Sequence, residues 1–532
     1  MKMLSRMSRL LTIARQRPVS SSSSANPSSH LKLVCSGCNA EVWGSKAAVF
    51  RCPDAASRPE IDHVLVPAAV DDVAMRAEDP TSTNPFVRYR NRLFSHRVAR
   101  ARGMTDTDYV DTVEALNAAL VATGGIGFAE TPLLWHAPLN CFFKVEVRLY
   151  CVSTIASSFH THRPTTRACR RVTQVGNVGQ SHKARHLANA MIYLLALRRT
   201  GDEALGSRRL AVASCGNAGL AAAEVAAAAQ WPIDVCIPPD ATDAVVARLA
   251  ALAPRGVATI VCDRSGADVQ TAMGLVPSTG AADPTLAVCR ELVRAHGSIP
   301  FSVQGPECGL AVEGGRTIAW EILTALGRDH AGVRQLGAAY IQVGGGALGA
   351  GFAQGMHHAV AAPYASASAA SAAGASSHPH AHLLTSEPQL VCVQPEGCMP
   401  LHRAWERMLS ARVSAHEAAR ARSEYMWPWD EPHSIAHGIL DDETYDWVAL
   451  CDAMARTGGR PESVREDAIV RAHAYARDEL GISTCHTGAA GLAALMTRRA
   501  AEPPTPQGAP PDLVLLSGID RLVVLPSGTS QP

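Results

Sequence analysis

The stretch LAVASCGNAG at residues 210–219 decides the fold of this chain. Its first half has the short apolar run of a buried strand, and an alanine-rich helix pattern follows at 220–229. A second strand pattern comes at 233–237, and a second helix pattern at 242–252. Because strands that alternate with helices at this spacing form parallel βαβ units, the sequence predicts an α/β fold.

The same alternation extends on both sides of this stretch. Further strand patterns stand at 140–146, 338–343, 390–394 and 513–516, and further helix patterns at 183–197, 401–411 and 465–479. A chain of 532 residues is long enough for several domains. We predict two three-layer α/β/α domains with mainly parallel sheets and a ligand in the cleft between them. We place their bounds at 187–299 for the smaller domain, and at 111–186 and 300–532 for the larger one.

Three segments stand outside this pattern. Residues 1–33 are rich in arginine and serine and hold no acidic residue, which is typical of a transit peptide, the alternative being an ordinary disordered terminus. We therefore expect the mitochondrial matrix, with the cytoplasm as the alternative. Residues 34–110 form a ribbon-like and then helical segment before the two domains. Residues 362–382 are rich in alanine and serine and predict a low-complexity loop.

The block at 147–174 interrupts the larger domain. It has no acidic residue and no periodicity, and it begins with Val147 and ends with Gln174. The codons of these two residues can supply the ends of a spliceosomal intron, so our hypothesis is a retained intron. If the block is translated, we expect a disordered surface loop.

Composition excludes several classes of partner. Basic and acidic residues nearly balance, 49 against 48, so no nucleic acid partner is implied. No apolar run approaches the ~20 residues that span a bilayer, so we expect no membrane partner. The 15 cysteines are mostly scattered singly, which favours reduced thiols.

One group of cysteines has the spacing of a metal site. Cys35-x2-Cys38 is followed by Cys52-Pro53, as at the start of a small zinc ribbon. A structural zinc site normally has four ligands, and we find no fourth one at the expected spacing. We therefore expect no metal, the segment being a ribbon without its ion.

The stretch SHKARH at 181–186 carries the candidate for covalent chemistry. Lys183 stands at the start of a helix pattern, where its amine can form an imine with an aldehyde cofactor such as pyridoxal phosphate. A solvated surface lysine is the commoner case for one residue alone. The surface interpretation is disfavoured for Lys183, because further motifs of a pyridoxal-phosphate site follow it in the sequence.

Three glycine-containing turns follow Lys183. Ser214, Gly216 and Ala218 surround Asn217 between a strand and a helix, where a helix N-terminus favours a substrate carboxylate and Asn217 can reach a ring oxygen. The loop of Gly344, Gly345, Gly346 and Gly349 follows a strand, and its backbone N–H groups can hold a phosphate. Thr487 opens a late helix, where its hydroxyl can face a pyridine nitrogen or act as an ordinary N-cap.

These four motifs in register resemble the fold-type II pyridoxal-phosphate enzymes, the tryptophan synthase β-like superfamily, over roughly residues 125–520. Within that group the chain is most similar to threonine synthase and its relatives, on the stretches NPFVRYR at 84–90, ETPL at 130–133 and EGGRT at 313–317. The resemblance implies that Lys183 is the Schiff-base lysine, Asn217 the ring-oxygen partner, and Thr487 the pyridine-nitrogen partner. It also implies that the glycine loop is the phosphate cup. Such enzymes are usually dimers, so it implies a homodimer.

The resemblance leaves three functions open. The leading one is a lyase that acts on a hydroxy- or O-phospho-amino acid by β- or γ-elimination, as threonine synthase does on O-phosphohomoserine. The second is a serine/threonine dehydratase, an ammonia-lyase. The third is a non-catalytic regulatory protein that binds the cofactor. A phosphorylated substrate requires cations near the lysine, and His182, Arg185 and Arg316 are the candidates.

Overall fold

The computed structural model describes residues 29–44, 48–68, 78–147, 178–214, 216–262, 284–360, 384–503, 506 and 508–518. Most of the expected transit peptide, nearly all of the block at 147–174 and the whole loop at 362–382 lie outside these residues. Only Val147 of the block is described, and it is buried beside the end of a strand.

The strands form three sheets. Their bounds are β1 Lys32–Cys35, β2 Glu41–Trp43, β3 Leu65–Pro67, β4 Leu133–His136, β5 Cys141–Val145, β6 Leu210–Ala213, β7 Ile233–Ile237, β8 Val257–Val261, β9 Ile299–Pro300, β10 Ala338–Gln342, β11 Gln389–Pro395, β12 Arg460–Val464 and β13 Asp512–Leu516. A small antiparallel sheet has the order β2-β1-β3, a four-stranded parallel sheet β8-β7-β6-β9, and a six-stranded sheet β12-β11-β10-β13-β5-β4. The six-stranded sheet is parallel except for the edge strand β4.

Helices connect these strands and cover the sheets. Their bounds are α1 Pro85–Arg88, α2 Phe94–Ala101, α3 Asp106–Gly124, α4 Lys183–Arg199, α5 Asn217–Ala228, α6 Asp243–Leu252, α7 Pro284–Ala295, α8 Gly309–Asp329, α9 Ala347–Val360, α10 Pro400–Ala411, α11 Ala415–Ala418, α12 Arg422–Tyr425, α13 Trp447–Thr457, α14 Glu466–Asp478 and α15 His486–Ala501. Helix α8 packs against both α4 and α9. No helix among the described stretches combines the length and the apolar character that crossing a membrane requires.

The α/β class predicted from the sequence is confirmed. The apolar run at 210–213 is the central strand β6, which pairs in parallel with β7 and β9. The strands of the four-stranded sheet all lie between residues 210 and 300, and those of the six-stranded sheet lie before and after that stretch. The predicted domain bounds are compatible with this division and stay a prediction.

One local prediction differs from the structure. The glycine loop is shorter than expected, because α9 already begins at Ala347. The short strand β9 pairs through Ile299 and Pro300 with Leu210 and Ala211 of β6. The turns after β6, β10 and β13 follow the carboxyl ends of parallel strands, where α/β folds place their ligand sites.

Candidate functional site

Lys183 is the first residue of α4, and its side chain is half-buried. Burial lowers the pKa of the Lys183 amine, while the charges of Asp441 and Asp446 act in the opposite direction. An amine must be neutral to attack an aldehyde, so a lowered pKa prepares this lysine to form an imine.

A fully buried network of charges fixes the helix turn that carries this lysine. Arg185 donates from Nε to Glu146 Oε2 at 2.7 Å and from a terminal nitrogen to Glu321 Oε1 at 2.7 Å. Lys144 Nζ donates to Glu321 Oε2 at 2.6 Å, and the Thr131 hydroxyl donates to Glu146 Oε1 at 2.5 Å. Burial acts to raise the pKa of Glu321, but the charges of Arg185 and Lys144 outweigh it and lower that pKa to about 2. The network therefore joins α4 to β5 and α8 through charged groups.

The turn after β6 leaves room for a ligand. A Cβ at Gly216 would meet no atom within 4 Å in the described part of the chain. Asn217 begins α5, and its Nδ2 lies 3.4 Å from the place that a Cβ of Gly518 would occupy. Ser214 Oγ accepts a bond from the Gly216 N–H at 3.4 Å. The Asn217 side chain therefore faces the turn that follows β13, where the site has another hydroxyl.

The glycine loop lies between β10 and the N-terminus of α9. Gly346 has a φ of 104°, a backbone conformation that favours glycine. A Cβ on Gly344 would lie 2.3 Å from Asp441 Oδ2, and one on Gly345 would lie 2.9 Å from the Tyr445 ring. The segment at 439–446 therefore packs too closely on this loop for any side chain to stand there. Three successive small residues before a helix N-terminus give a backbone that can bind an anion.

Thr487 and Ser517 supply two further hydroxyl groups. Thr487 Oγ1 accepts a bond from the Gly438 N–H at 2.9 Å. Ser517 follows β13, and its Oγ accepts from the His182 N–H at 3.2 Å and lies 2.6 Å from His182 Nδ1. We predicted Thr487 and missed Ser517. A Ser-Gly pair directly after the last apolar strand pattern could have pointed to Ser517, because Ser214 stands at the same position after β6.

Asp446 borders the glycine loop, and a second buried carboxyl group, Asp62, lies near it. Burial raises the pKa of Asp446 to about 8, the charge of Asp62 adds to that shift, and the Gly305 N–H and Lys183 oppose it. One carboxyl oxygen each of Asp446 and Asp62 has no hydrogen-bond partner among the described residues. Buried groups without partners are rare in folded proteins, and perturbed carboxyl groups are typical of functional sites. The sequence did not lead us to either residue.

Most predicted site residues lie at the ends of neighbouring elements. Lys183, Asn217 and Thr487 each stand at the first or second residue of a helix, and Gly344 to Gly346 precede another. Ala218 and Gly349 instead lie within the first turns of α5 and α9, and both are buried. A Cβ on Gly349 would lie 2.8 Å from Leu450 Cδ2, so close helix packing explains this glycine.

The three cations that we considered for a substrate phosphate already have partners. Arg185 belongs to the buried network described above. Arg316 Nε donates to Gln354 Oε1 at 3.0 Å, and another of its nitrogens lies 3.6 Å from Glu313 Oε1. His182 contacts Ser517, and burial lowers its pKa well below the usual range, so its ring is neutral.

The residues present fit pyridoxal phosphate on three observations. Lys183 has a half-buried amine with a lowered pKa, the glycine loop offers backbone donors at the N-terminus of a 14-residue helix, and neutral hydroxyls stand at Thr487 and Ser517. Lys183 would hold the aldehyde carbon, the loop the phosphate, and one of the hydroxyls the ring nitrogen.

Comparison with known proteins supports pyridoxal phosphate as the cofactor. The family described as "Pyridoxal-phosphate dependent enzyme" matches residues 176–509, which is more than half of the 532 residues. No curated protein sequence matches the chain. Solved structures similar to the chain include maize serine racemase, with 14% identity, 77% of this chain and 94% of that chain covered, and a TM-score of 0.47. Another is the processed form of threonine deaminase isoform 2 from Solanum lycopersicum, with 14% identity, 79% of this chain and 91% of that chain covered, and a TM-score of 0.46. A third is an L-serine ammonia-lyase from Rhizomucor miehei, with 18% identity, 74% of this chain and 94% of that chain covered, and a TM-score of 0.45.

Proposed function

Because the chain belongs to the family of pyridoxal-phosphate dependent enzymes, we propose that it eliminates the hydroxyl group of a serine- or threonine-like amino acid. The products would be a keto acid and ammonia, and no inorganic phosphate would be released. This is the reaction of an ammonia-lyase, with pyridoxal phosphate as the cofactor.

The distribution of charge around Lys183 supports an unphosphorylated substrate. Asp441 lies against Gly344, and the charges of Asp441 and Asp446 both act on Lys183. The cations considered for a second phosphate, Arg185 and Arg316, are committed to buried carboxylates and an amide. Neither of these two described arginines is therefore left to balance a substrate phosphate, and a buried charge is costly without a partner.

Each residue of the site has a part in such an elimination. Pyridoxal phosphate, when bound, holds the amino acid covalently and accepts the electron pair that the α-proton leaves behind. The Lys183 amine, which burial keeps from being protonated as readily as a free lysine, removes that proton. A neutral hydroxyl at Thr487 or Ser517 would leave the ring nitrogen unprotonated, which favours elimination over transamination. The N-terminus of α5 at Asn217 can bind the substrate carboxylate.

A threonine synthase-like reaction on O-phosphohomoserine is the second candidate. The stretches at 84–90, 130–133 and 313–317 favour it, because they are the motifs that the chain shares with that group. It requires cations from elsewhere, and the arginine-containing block at 147–174 lies almost wholly outside the described residues.

A substrate screen separates the candidates. Full-length protein loaded with pyridoxal phosphate is incubated with serine, threonine and O-phosphohomoserine, and keto acid, ammonia and phosphate are measured separately. We expect keto acid and ammonia from serine or threonine. Phosphate and threonine from O-phosphohomoserine would favour threonine synthase, and a cofactor-bound protein inert towards all three would favour the regulatory interpretation.

Lys183→Ala tests the assignment of the lysine itself. We expect this variant to lose all turnover, and borohydride to trap no cofactor at position 183, whereas the wild type is labelled there. Arg199→Ala, on the exposed face of the same helix, should be labelled like the wild type. Labelling of Lys183→Ala at another lysine would show that the assignment is wrong.

A further inference from the structure

Four side chains of metal-ligating types converge beside the small antiparallel sheet. Cys35, Cys38, Cys52 and His63 place one donor atom each within 4.8 Å of one another. Cys38 Sγ lies 3.6 Å from Cys52 Sγ, and Cys35 Sγ lies 3.4 Å from His63 Nδ1. Bond lengths of ~2.3 Å to sulfur and ~2.0 Å to nitrogen place the ligands of tetrahedral zinc about 3.5–3.8 Å apart.

We propose that Cys35, Cys38, Cys52 and His63 bind one structural zinc ion. His63 is the fourth ligand that we did not find in the sequence, and its presence removes the reason for expecting no metal. It escaped notice because it stands 11 residues after Cys52, next to β3, and is not part of a second Cys-x2-Cys pair. Only the pairing of β3 with β1 brings it to the cysteines.

The backbone around the first two cysteines has the shape that a metal-binding turn requires. The Asn39 N–H donates to the Cys35 carbonyl at 3.0 Å, and Asn39 has a φ of 62°. This turn brings the Cys38 sulfur within 4.8 Å of the Cys35 sulfur.

The histidine is held in the orientation of a ligand by an independent contact. His63 Nε2 lies 2.9 Å from the Arg58 carbonyl oxygen, which can only accept. The Nε2–H therefore donates to Arg58, and the lone pair of Nδ1 faces the sulfurs. A hydrogen bond of this kind to the far ring nitrogen is what fixes metal-bound histidines in proteins.

The metal site would hold the loop that carries Asp62 in place. With four protein ligands it has no open position, so its role is structural. Asp62, next to His63, lines a cavity of about 290 Å³ together with Asp446, the carboxyl group beside the glycine loop. Gly309 at the start of α8 contacts the sheet so closely that a Cβ there would lie 1.7 Å from the Leu65 carbonyl oxygen. The ion would therefore fix the loop that places Asp62 near Asp446.

Metal analysis of the purified full-length protein tests the proposal. We expect about one zinc per chain after purification without added metal. Protein without zinc, or protein with iron in its place, would overturn the assignment, as would a Cys38–Cys52 disulfide found by mass spectrometry. The outcome does not depend on whether any amino acid is turned over.

Variants and cobalt exchange identify the ligands. His63→Ala and Cys52→Ser should each lose the zinc, while Cys392→Ala, a buried cysteine of β11 outside the cluster, should keep it. His63→Cys should also keep it, because a fourth thiolate replaces the imidazole. Since loss of the ion can unfold the sheet, the wild type is also exchanged with cobalt, which should give the intense thiolate absorption of a tetrahedral site. The weak spectrum of a six-coordinate ion, or zinc retained in both loss variants, would refute the ligand set.

Discussion

Two clusters of charged side chains lie near the start of α4, and they are built differently. Around Arg185, two basic and two acidic side chains balance, and each finds partners at hydrogen-bond distance. Around Lys183, the carboxyl groups of Asp441 and Asp446 face a single amine, and Asp446 keeps an oxygen without a partner among the described residues.

The difference separates a structural cluster from a functional one. A buried charge is costly unless it is paired, so the balanced network around Arg185 lowers the energy of the folded chain only as a complete set. The incomplete set around Lys183 stabilises less, but it holds an amine and a carboxyl group with shifted pKa values, as reactions near neutral pH require. The predictions below remove one member of either cluster.

Arg185→Met should have the largest effect. It leaves Glu146 and Glu321 buried without their main cation, and removal of one partner from a buried ion pair costs about 3–5 kcal/mol. We expect the midpoint of urea unfolding to fall accordingly. Arg199→Met, at an exposed position on the same helix, is the matched control and should change little. Equal losses in the two variants would contradict the distinction between the clusters.

Asp446→Asn should change how stability depends on pH. The folded pKa of Asp446 is raised to about 8, above its value in an unfolded chain, so the folded state retains a proton that the unfolded state has lost. The free energy of unfolding should therefore fall as pH rises from about 4 to about 8, by at most ~1.4 kcal/mol per pH unit.

The asparagine variant should lose this slope and keep the bond from the Gly305 N–H, since its amide oxygen still accepts. Melting temperatures of the wild type and the variant between about pH 5 and pH 8 test this. Asp452→Asn, at a half-exposed carboxyl group of α13, the helix that Asp446 precedes, should behave as the wild type does. A variant with an undiminished slope would show that Asp446 is ionised in the folded protein.

The sequence predicted motifs that lie at the start of a helix. Asn217 and Gly344 stand between a strand and a helix that follow within a few positions, and Lys183 and Thr487 are the first and second residues of their helices. The local order of the chain is enough for such a site, because the carboxyl ends of parallel strands come together in any fold of this class.

The remaining parts of the site depend on residues far apart in the chain. Asp62 meets Asp446 across 384 positions, and Arg185 meets Glu321 across 136. Neither pair has a spacing that a pattern can reveal. His63 lies within reach of the cysteines only because β3 pairs with β1. Charged residues in these places read as ordinary surface positions until the packing is known.

Asp441→Asn should have the smallest effect of the three variants, and we expect it to change only the titration of Lys183. The negative charge of Asp441 holds up the pKa of Lys183 against burial, so its removal should lower that pKa further. The amine is then neutral at lower pH, and borohydride trapping of pyridoxal phosphate at Lys183 should reach half its maximum at a pH lower by up to about one unit. Asp442→Asn, one residue further along, is the control and should shift the profile less. A profile that moves to higher pH would mean that Asp441 contacts the cofactor rather than setting the charge of Lys183, and the cluster would then bind the ligand directly instead of tuning the base.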